Sequence, residues 1–203
     1  MRCKNTQNPH IPPLLKRHRE EIKMKYHPLK HLHTICHHRH CVFRHCVRAG
    51  IPWRGLVHDL SKFSPTEFLE GARFYTDGSH SPNEDARRKY GYSSAWLHHK
   101  GRNRHHFEYW TDYVPGGPGL MPVPMPQKYL CEMVCDRIAA SKTYLGKAYT
   151  DGAPLAYFER RRDRIRIHPD TAKQLEDYLT LLSQQGEDAL FSALRNSLRQ
   201  KRK

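Results

Sequence analysis

Apolar positions in this chain recur at spacings of three and four, and no segment sustains an alternation of two. From Thr34 to Ala49, the positions Ile35, His38, Val42, Cys46 and Ala49 fall on one helical face. Gly50 and Ile51-Pro52 then stop that helix. Residues 53–62 read as a short helix running into His58-Asp59-Leu60-Ser61-Lys62. Ser64-Pro65-Thr66-Glu67 spells a helix start: Ser64 as N-cap, Pro65 at the first position and Glu67 completing a capping box. That helix should run to about Tyr75. Asp77-Gly78 and Ser81-Pro82-Asn83 mark a loop, followed by polar helices over 83–90 and 92–99. Five prolines and three glycines make 113–126 a loop. Pro126 opens a helix to 145 with a stripe of Leu130, Val134, Ile138, Ser141 and Leu145. Another helix is expected from Leu155 to about Arg164. Asp170 caps one bearing Leu175, Tyr178, Leu179 and Leu182; Gly186 ends it, and Leu190, Leu194 and Leu198 line a last one. The pattern predicts an all-α helical bundle. Residues 27–203 would form a single domain behind an extension at 1–26, where the breakers Asn8-Pro9 and Pro12-Pro13 precede a short charged stretch.

Composition narrows the picture. The 203 residues include 35 Lys+Arg against 20 Asp+Glu, a net +15, and 16 histidines. Hydrophobic content is 37%, below the roughly 45–50% usual for globular domains. Aromatics and both signs of charge still allow a core. The charge is uneven: the first 50 residues hold 11 Lys/Arg against 2 acids, net +9, whereas 51–150 and 151–203 carry +3 each. Such a segment suits a solvated surface or a face that attracts nucleic acid. No run approaches the roughly 18–20 apolar residues of a membrane span, so no membrane partner is expected. The first residues show no apolar signal region, and none of Cys3, Cys36, Cys41, Cys46, Cys131 and Cys135 forms a C-x-x-C pair. Reduced thiols in a cytoplasm follow as the expectation. The common glycine-rich nucleotide loops are missing.

Four clusters carry chemistry. His58-Asp59 pairs an imidazole with a carboxylate at a helix end, a set suited to divalent metal. His98, His99, His105 and His106 share nine residues with Lys100, Arg102 and Arg104, flanked by Tyr92, Trp96, Phe107, Tyr109 and Trp110. The aromatics argue that this run is packed down, since burying so many polar groups without partners is costly. Asp136 neighbours the apolar stripe of its helix and needs a compensating charge, either Arg137 or a metal. Among the N-terminal histidines His31, His33, His37, His38, His40 and His45, only His38 lies squarely on the apolar face, with His31 and His45 near it.

In chain order these residues read His38, His58-Asp59, the 98–106 histidines, Asp136. That order resembles the HD superfamily of metal-dependent phosphohydrolases, an all-helical fold with ligands in the order His, His-Asp, Asp. Its two-metal members carry further histidines in the same interval, and some carry a Lys three residues after the Asp, as Lys62 stands here. The stretches HDLSKFSPTEF (58–68), GYSSAWLHHKGRNRHHFEYW (91–110) and MPQKYLCEMVCDRIAASKTYLGKAYT (125–150) are also similar to a bacterial and phage family whose domain has no known function.

The HD resemblance implies an HD-like bundle with one or two divalent ions (Fe, Mn, Zn, Co or Mg). The implied ligands are His38, His58, Asp59 and Asp136, with a second ion or a general acid among His98, His99, His105 and His106. Catalytic work would fall to Asp59, Lys62, His99, Arg102 and His106. Lys62, Arg102 and Arg104 would neutralise phosphate charge on a phosphorylated small molecule or a nucleotide. Two rivals accompany this expectation: an HD-fold di-iron oxygenase, and a non-catalytic nucleic-acid binder using the basic N-terminal segment.

Overall fold

The computed structural model describes residues 26–77 and 79–200. The expected basic extension at 1–26 therefore lies outside the described residues, Tyr26 excepted. The described chain is all-α apart from one small hairpin. Helices α1 (Pro28–Arg48), α2 (Pro52–Val57), α3 (Pro65–Arg73), α4 (Pro82–Tyr90) and α5 (Ser94–Arg102) come first. Strands β1 (Thr111–Tyr113) and β2 (Leu120–Pro122) follow, then α6 (Gln127–Leu145), α7 (Ala153–Glu159) and α8 (Pro169–Gln200).

Proline starts most of these helices, since its fixed φ and missing N–H suit the first turn. For that reason α1 begins at Pro28, six residues before the position its apolar stripe suggested. The helix expected over 53–62 is broken. It stops at Val57, Asp59 takes a left-handed conformation (φ 53°), and a 3-10 turn covers Leu60–Phe63. Aspartate tolerates that region better than most residues. The start of the proline-rich loop expected at 113–126 folds with the residues before it into the hairpin, pairing Thr111 with Pro122 and Tyr113 with Leu120. Strands of three residues are too short to show an alternation. Gly186, at φ 78°, breaks α8 into two segments, as its place in the sequence predicts.

Helix α6 sits at the centre, packed against both α1 and α8. Its Leu130, Val134 and Ile138 are fully buried with Val42 and Cys46 of α1 and Leu175, Leu179, Leu182, Leu190 and Leu194 of α8. Each such leucine contributes about 1.5–3 kcal/mol by leaving water. The stripe of α6 ends early: Leu145 is 44% exposed. Buried positions surround the first half of α6, including the polar Gln127 and Glu132. Gly55 lets α2 meet α1 closely, since a Cβ there would lie 2.7 Å from Cys46 Cβ and 2.9 Å from Phe43 Cα.

Candidate metal centre

Five elements aim polar side chains at one point. α1 contributes His38 from its buried face. The break after α2 turns His58 and Asp59 inward together, because both lie outside helical φ/ψ. Arg39 of α1 stabilises that break, donating from Nε to the His58 carbonyl (2.8 Å) and from Nη2 to Leu56 (2.9 Å). These are helix-end carbonyls that would otherwise lack a partner. α5 and the turn after it supply His99, His105 and His106. Asn103 ties them to the 3-10 turn, donating from Nδ2 to Ser61 Oγ at 2.7 Å and to the His99 carbonyl at 2.9 Å. α6 presents Glu132 and Asp136, one turn apart on one face. α3 adds Glu67.

Two donor groups result. In the first, His38 Nε2 lies 3.0 Å from Asp136 Oδ1, and His58 Nε2 lies 3.7 Å from the same oxygen. In the second, Asp59 Oδ1 lies 3.4 Å from His99 Nε2 and 3.3 Å from His105 Nε2, and His99 Nε2 lies 2.9 Å from His106 Nε2. Asp59 joins the groups, because its Oδ2 lies 3.4 Å from His58 Nε2. Ligands held about 2.0–2.2 Å from one ion are separated by roughly 3.0–3.6 Å, and the separations here run from 2.9 to 3.7 Å. Three of the atoms involved, His58 Nε2, Asp59 Oδ1 and His105 Nε2, are buried without a hydrogen-bond partner. Buried polar atoms are ordinarily satisfied, so three that converge point to a ligand between them. Among the described residues, two other such atoms, Glu108 Oε2 and Arg137 Nε, belong to neither group.

A second layer of carboxylates sets the rings. Glu132 Oε1 accepts from Nδ1 of His58 (3.1 Å) and lies 3.3 Å from Nδ1 of His105, while its Oε2 receives Arg54 at 2.7 Å. Glu67 accepts from His99 Nδ1 at 2.7 Å and from His98 Nδ1 at 2.6 Å. Protons fixed on Nδ1 leave Nε2 of His58, His99 and His105 to face the centre, the arrangement found behind metal-bound histidines. His58, His105 and Glu132 also lie close enough together to form a third donor group. Its Nδ1 atoms and its carboxylate are already occupied by these hydrogen bonds and by Arg54.

The electrostatics favour a cation. Burial opposes charge on His58, yet Asp59, Asp136 and Glu132 together push its pKa up to about 10. Burial likewise raises Asp59 and Asp136, but the surrounding histidines hold both well below the usual carboxylate range. Glu132 is lowered to about 2, against its burial, by His105 and His58. Surroundings that keep a proton on a buried ring also stabilise a metal ion, which would displace that proton on binding. His99 and His106 go the other way, lowered chiefly by burial, which leaves them neutral and able to act as ligands.

A family model matches residues 27–181. The chain belongs to DUF5662, a family of unknown function. No curated protein and no solved structure matches it.

Within this DUF5662 chain, seven of the eight residues expected as ligands meet at the centre: His38, His58, Asp59, His99, His105, His106 and Asp136. His98 does not join them; its Nδ1 goes to Glu67. Lys62 stands beside the centre, its Nζ 3.4 Å from Asp59 Oδ2, and is kept protonated by Asp59 against the effect of burial. Arg102 and Arg104 line a different cavity. Asp136 faces His38 and His58, while the Arg137 guanidinium lies 5.8 Å from the Phe158 ring. Among the other histidines, His45 is buried but bonds to the Cys135 carbonyl, away from the centre. None of the five described cysteines is in a disulfide.

Sequence reasoning missed Glu67 and Glu132. Glu132 carried a usable signal, a carboxylate one helical turn before Asp136 on an otherwise apolar face. Glu67 was hidden by its own capping-box pattern.

Proposed function

We propose that this chain is a metal-dependent phosphohydrolase of HD-like type. The observation that carries this reading is the position of Asp59: one carboxylate oxygen faces His58 and the other faces His99 and His105. The ligand order His38, His58-Asp59, Asp136 matches the HD order, and these residues meet in space. Imidazoles outnumber carboxylates in the two groups, a set that suits Zn, Fe, Mn or Co better than Mg.

A divalent ion there would supply Lewis acidity, lowering the pKa of a water nucleophile from about 15.7 toward about 7. Asp59 and Asp136 would hold that charge in place, and Glu132 and Glu67 keep the imidazoles in the required tautomer. Lys62 lines the adjoining cavity of about 230 Å³ with Trp96, Tyr75 and Tyr144. Its ammonium would bind a phosphoryl oxygen and stabilise the charge that moves in the transition state. The aromatic walls would hold the apolar part of a phosphorylated small molecule and exclude bulk water.

Asp59→Ala tests this reading, because it removes the carboxylate that belongs to one group and touches His58 of the other. The protein should be purified without a nickel column, since its own histidines would collect nickel. Elemental analysis should find divalent metal in the wild type and none in D59A, and D59A should not hydrolyse p-nitrophenyl phosphate or its diester. Full metal content in D59A would sink the proposal. Two irons with oxygen-dependent turnover would assign the site to an oxygenase instead.

A further inference from the structure

The run from His98 to His106 sends its side chains in two directions. His99, His105 and His106 join the metal centre, whereas Arg102 and Arg104 line a second cavity of about 210 Å³. Arg54, Asn103, Tyr129 and Glu132 complete its polar lining, and none of the described residues lines both cavities.

The second cavity has an excess of positive charge. Its carboxylate, Glu132, is already committed on both oxygens, one to Arg54 and the other to the rings of His58 and His105. Cations crowd the Tyr129 ring: Arg54 at 4.6 Å, Lys128 at 5.0 Å and Arg104 at 6.0 Å from its centroid. The Tyr129 phenol reports that field. Burial would raise its pKa, yet the hydrogen bond from Arg104 and the charges of Lys128, Arg104 and Arg54 lower it. Arg104 donates one N–H to the Tyr129 hydroxyl at 3.2 Å, and Arg102 one to the His98 carbonyl at 3.4 Å. A guanidinium carries five donors. Like charges held this close repel, and an anion between them relieves the repulsion.

We propose that this cavity binds a phosphate-type oxyanion, gripped by the forks of Arg102 and Arg104 above Tyr129. A tetrahedral anion offers several oxygens to planar forks, the geometry in which arginine surpasses lysine. The site does not depend on the metal chemistry next to it. The phosphate can belong to a free small molecule or to a nucleic-acid backbone, which present the same group.

The test is calorimetric titration of the full chain, stripped of metal, with inorganic phosphate. The wild type should bind. Arg102→Gln/Arg104→Gln should weaken binding by at least about tenfold. Both arginines are exposed, so the double variant should keep the wild-type melting curve. Lys173→Gln, which removes an exposed charge of α8 outside both cavities, should bind as the wild type does. Equal binding by wild type and double variant, or an equal loss in the Lys173 variant, would overturn the proposal; so would no binding by the wild type. A short single-stranded oligonucleotide titrated over a range of salt identifies the source. A backbone ligand requires the double variant to lower the salt slope by about one to two. An unchanged slope, with phosphate binding lost, assigns the site to a small phosphorylated molecule.

Discussion

Replacing Glu132 by Gln should damage the candidate metal centre without touching a donor atom of its two main groups. The carboxylate faces donors on both sides: Arg54 Nε and Nη2 at 2.7 Å on Oε2, and Nδ1 of His58 and His105 at 3.1 and 3.3 Å on Oε1. A glutamine offers one oxygen and one NH2. If the NH2 meets Arg54, donor faces donor. If it meets the imidazoles, their protons must move to Nε2 and block the metal-facing lone pairs. Loss of such an orienting partner costs about 10–100-fold in metal affinity, or about 1.4–2.7 kcal/mol. Stability should also fall, since removing one partner of a buried ion pair costs about 3–5 kcal/mol. Arg54 is 27% exposed and keeps some water, so the lower figure, about 3 kcal/mol, applies. For a chain of this size that is roughly 6–12 °C in Tm. Titration calorimetry with zinc or manganese measures the first effect, and thermal melting of the metal-free protein the second. Arg54→Met provides the contrast: it should lower stability but leave the Nδ1 acceptor in place, so metal affinity should fall far less. Wild-type metal affinity in E132Q would refute the claim that Glu132 sets the tautomers.

Two further predictions concern the scaffold. Burial, with the charge of Lys142 adding to it, lowers the His45 pKa from 6.5 to about 4. Between those values the unfolded chain binds a proton that the folded chain refuses. Stability is therefore full above pH 6.5 and falls as the pH drops toward 4, by about 3 kcal/mol in all. His45→Gln should flatten this slope in part, because His31 has a similar shift; urea unfolding across that range reads it, and an identical slope in H45Q would refute the assignment. Gly55→Ala should destabilise by about 1–3 kcal/mol, because its Cβ would meet the α1 backbone at Phe43 at 2.9 Å. Alanine's better helix propensity, about 1 kcal/mol, works in the opposite direction. A G55A protein that melts at or above the wild-type temperature would show that α1 and α2 have room to part.

Much of the fold was legible because helix ends are written locally. Proline at first positions, Ser64 as a cap and Gly186 as a stop each depend on φ/ψ preferences that travel with the residue. What failed was the helix over 53–62. The composition of that stretch suits a helix, and only tertiary contacts reverse it. Arg39 reaches the carbonyls of Leu56 and His58, and Asp59 turns left-handed to face three imidazoles. The break and the centre are thus one feature, and a local reading of 53–62 gives the His58-Asp59 pair but not the turn that aims it.

The candidate ligands themselves stood out because imidazoles and carboxylates cluster here. The residues that aim them did not, since a lone glutamate on a helix looks like any solvated acid. Glu67 shows how the competition is decided. Half of its capping box forms, with the Glu67 backbone N–H donating to Ser64 Oγ at 3.4 Å. The other half would send its carboxylate back to one backbone N–H of the cap, worth about 1 kcal/mol. The carboxylate instead takes two imidazole N–H groups at 2.6 and 2.7 Å. Hydrogen bonds to a charged group run about 1.5–3 kcal/mol each; the one from His99 is buried and the one from His98 part-buried. The tertiary pair outweighs the local bond by a factor of several, so the motif keeps its backbone half and gives up its side chain to the centre.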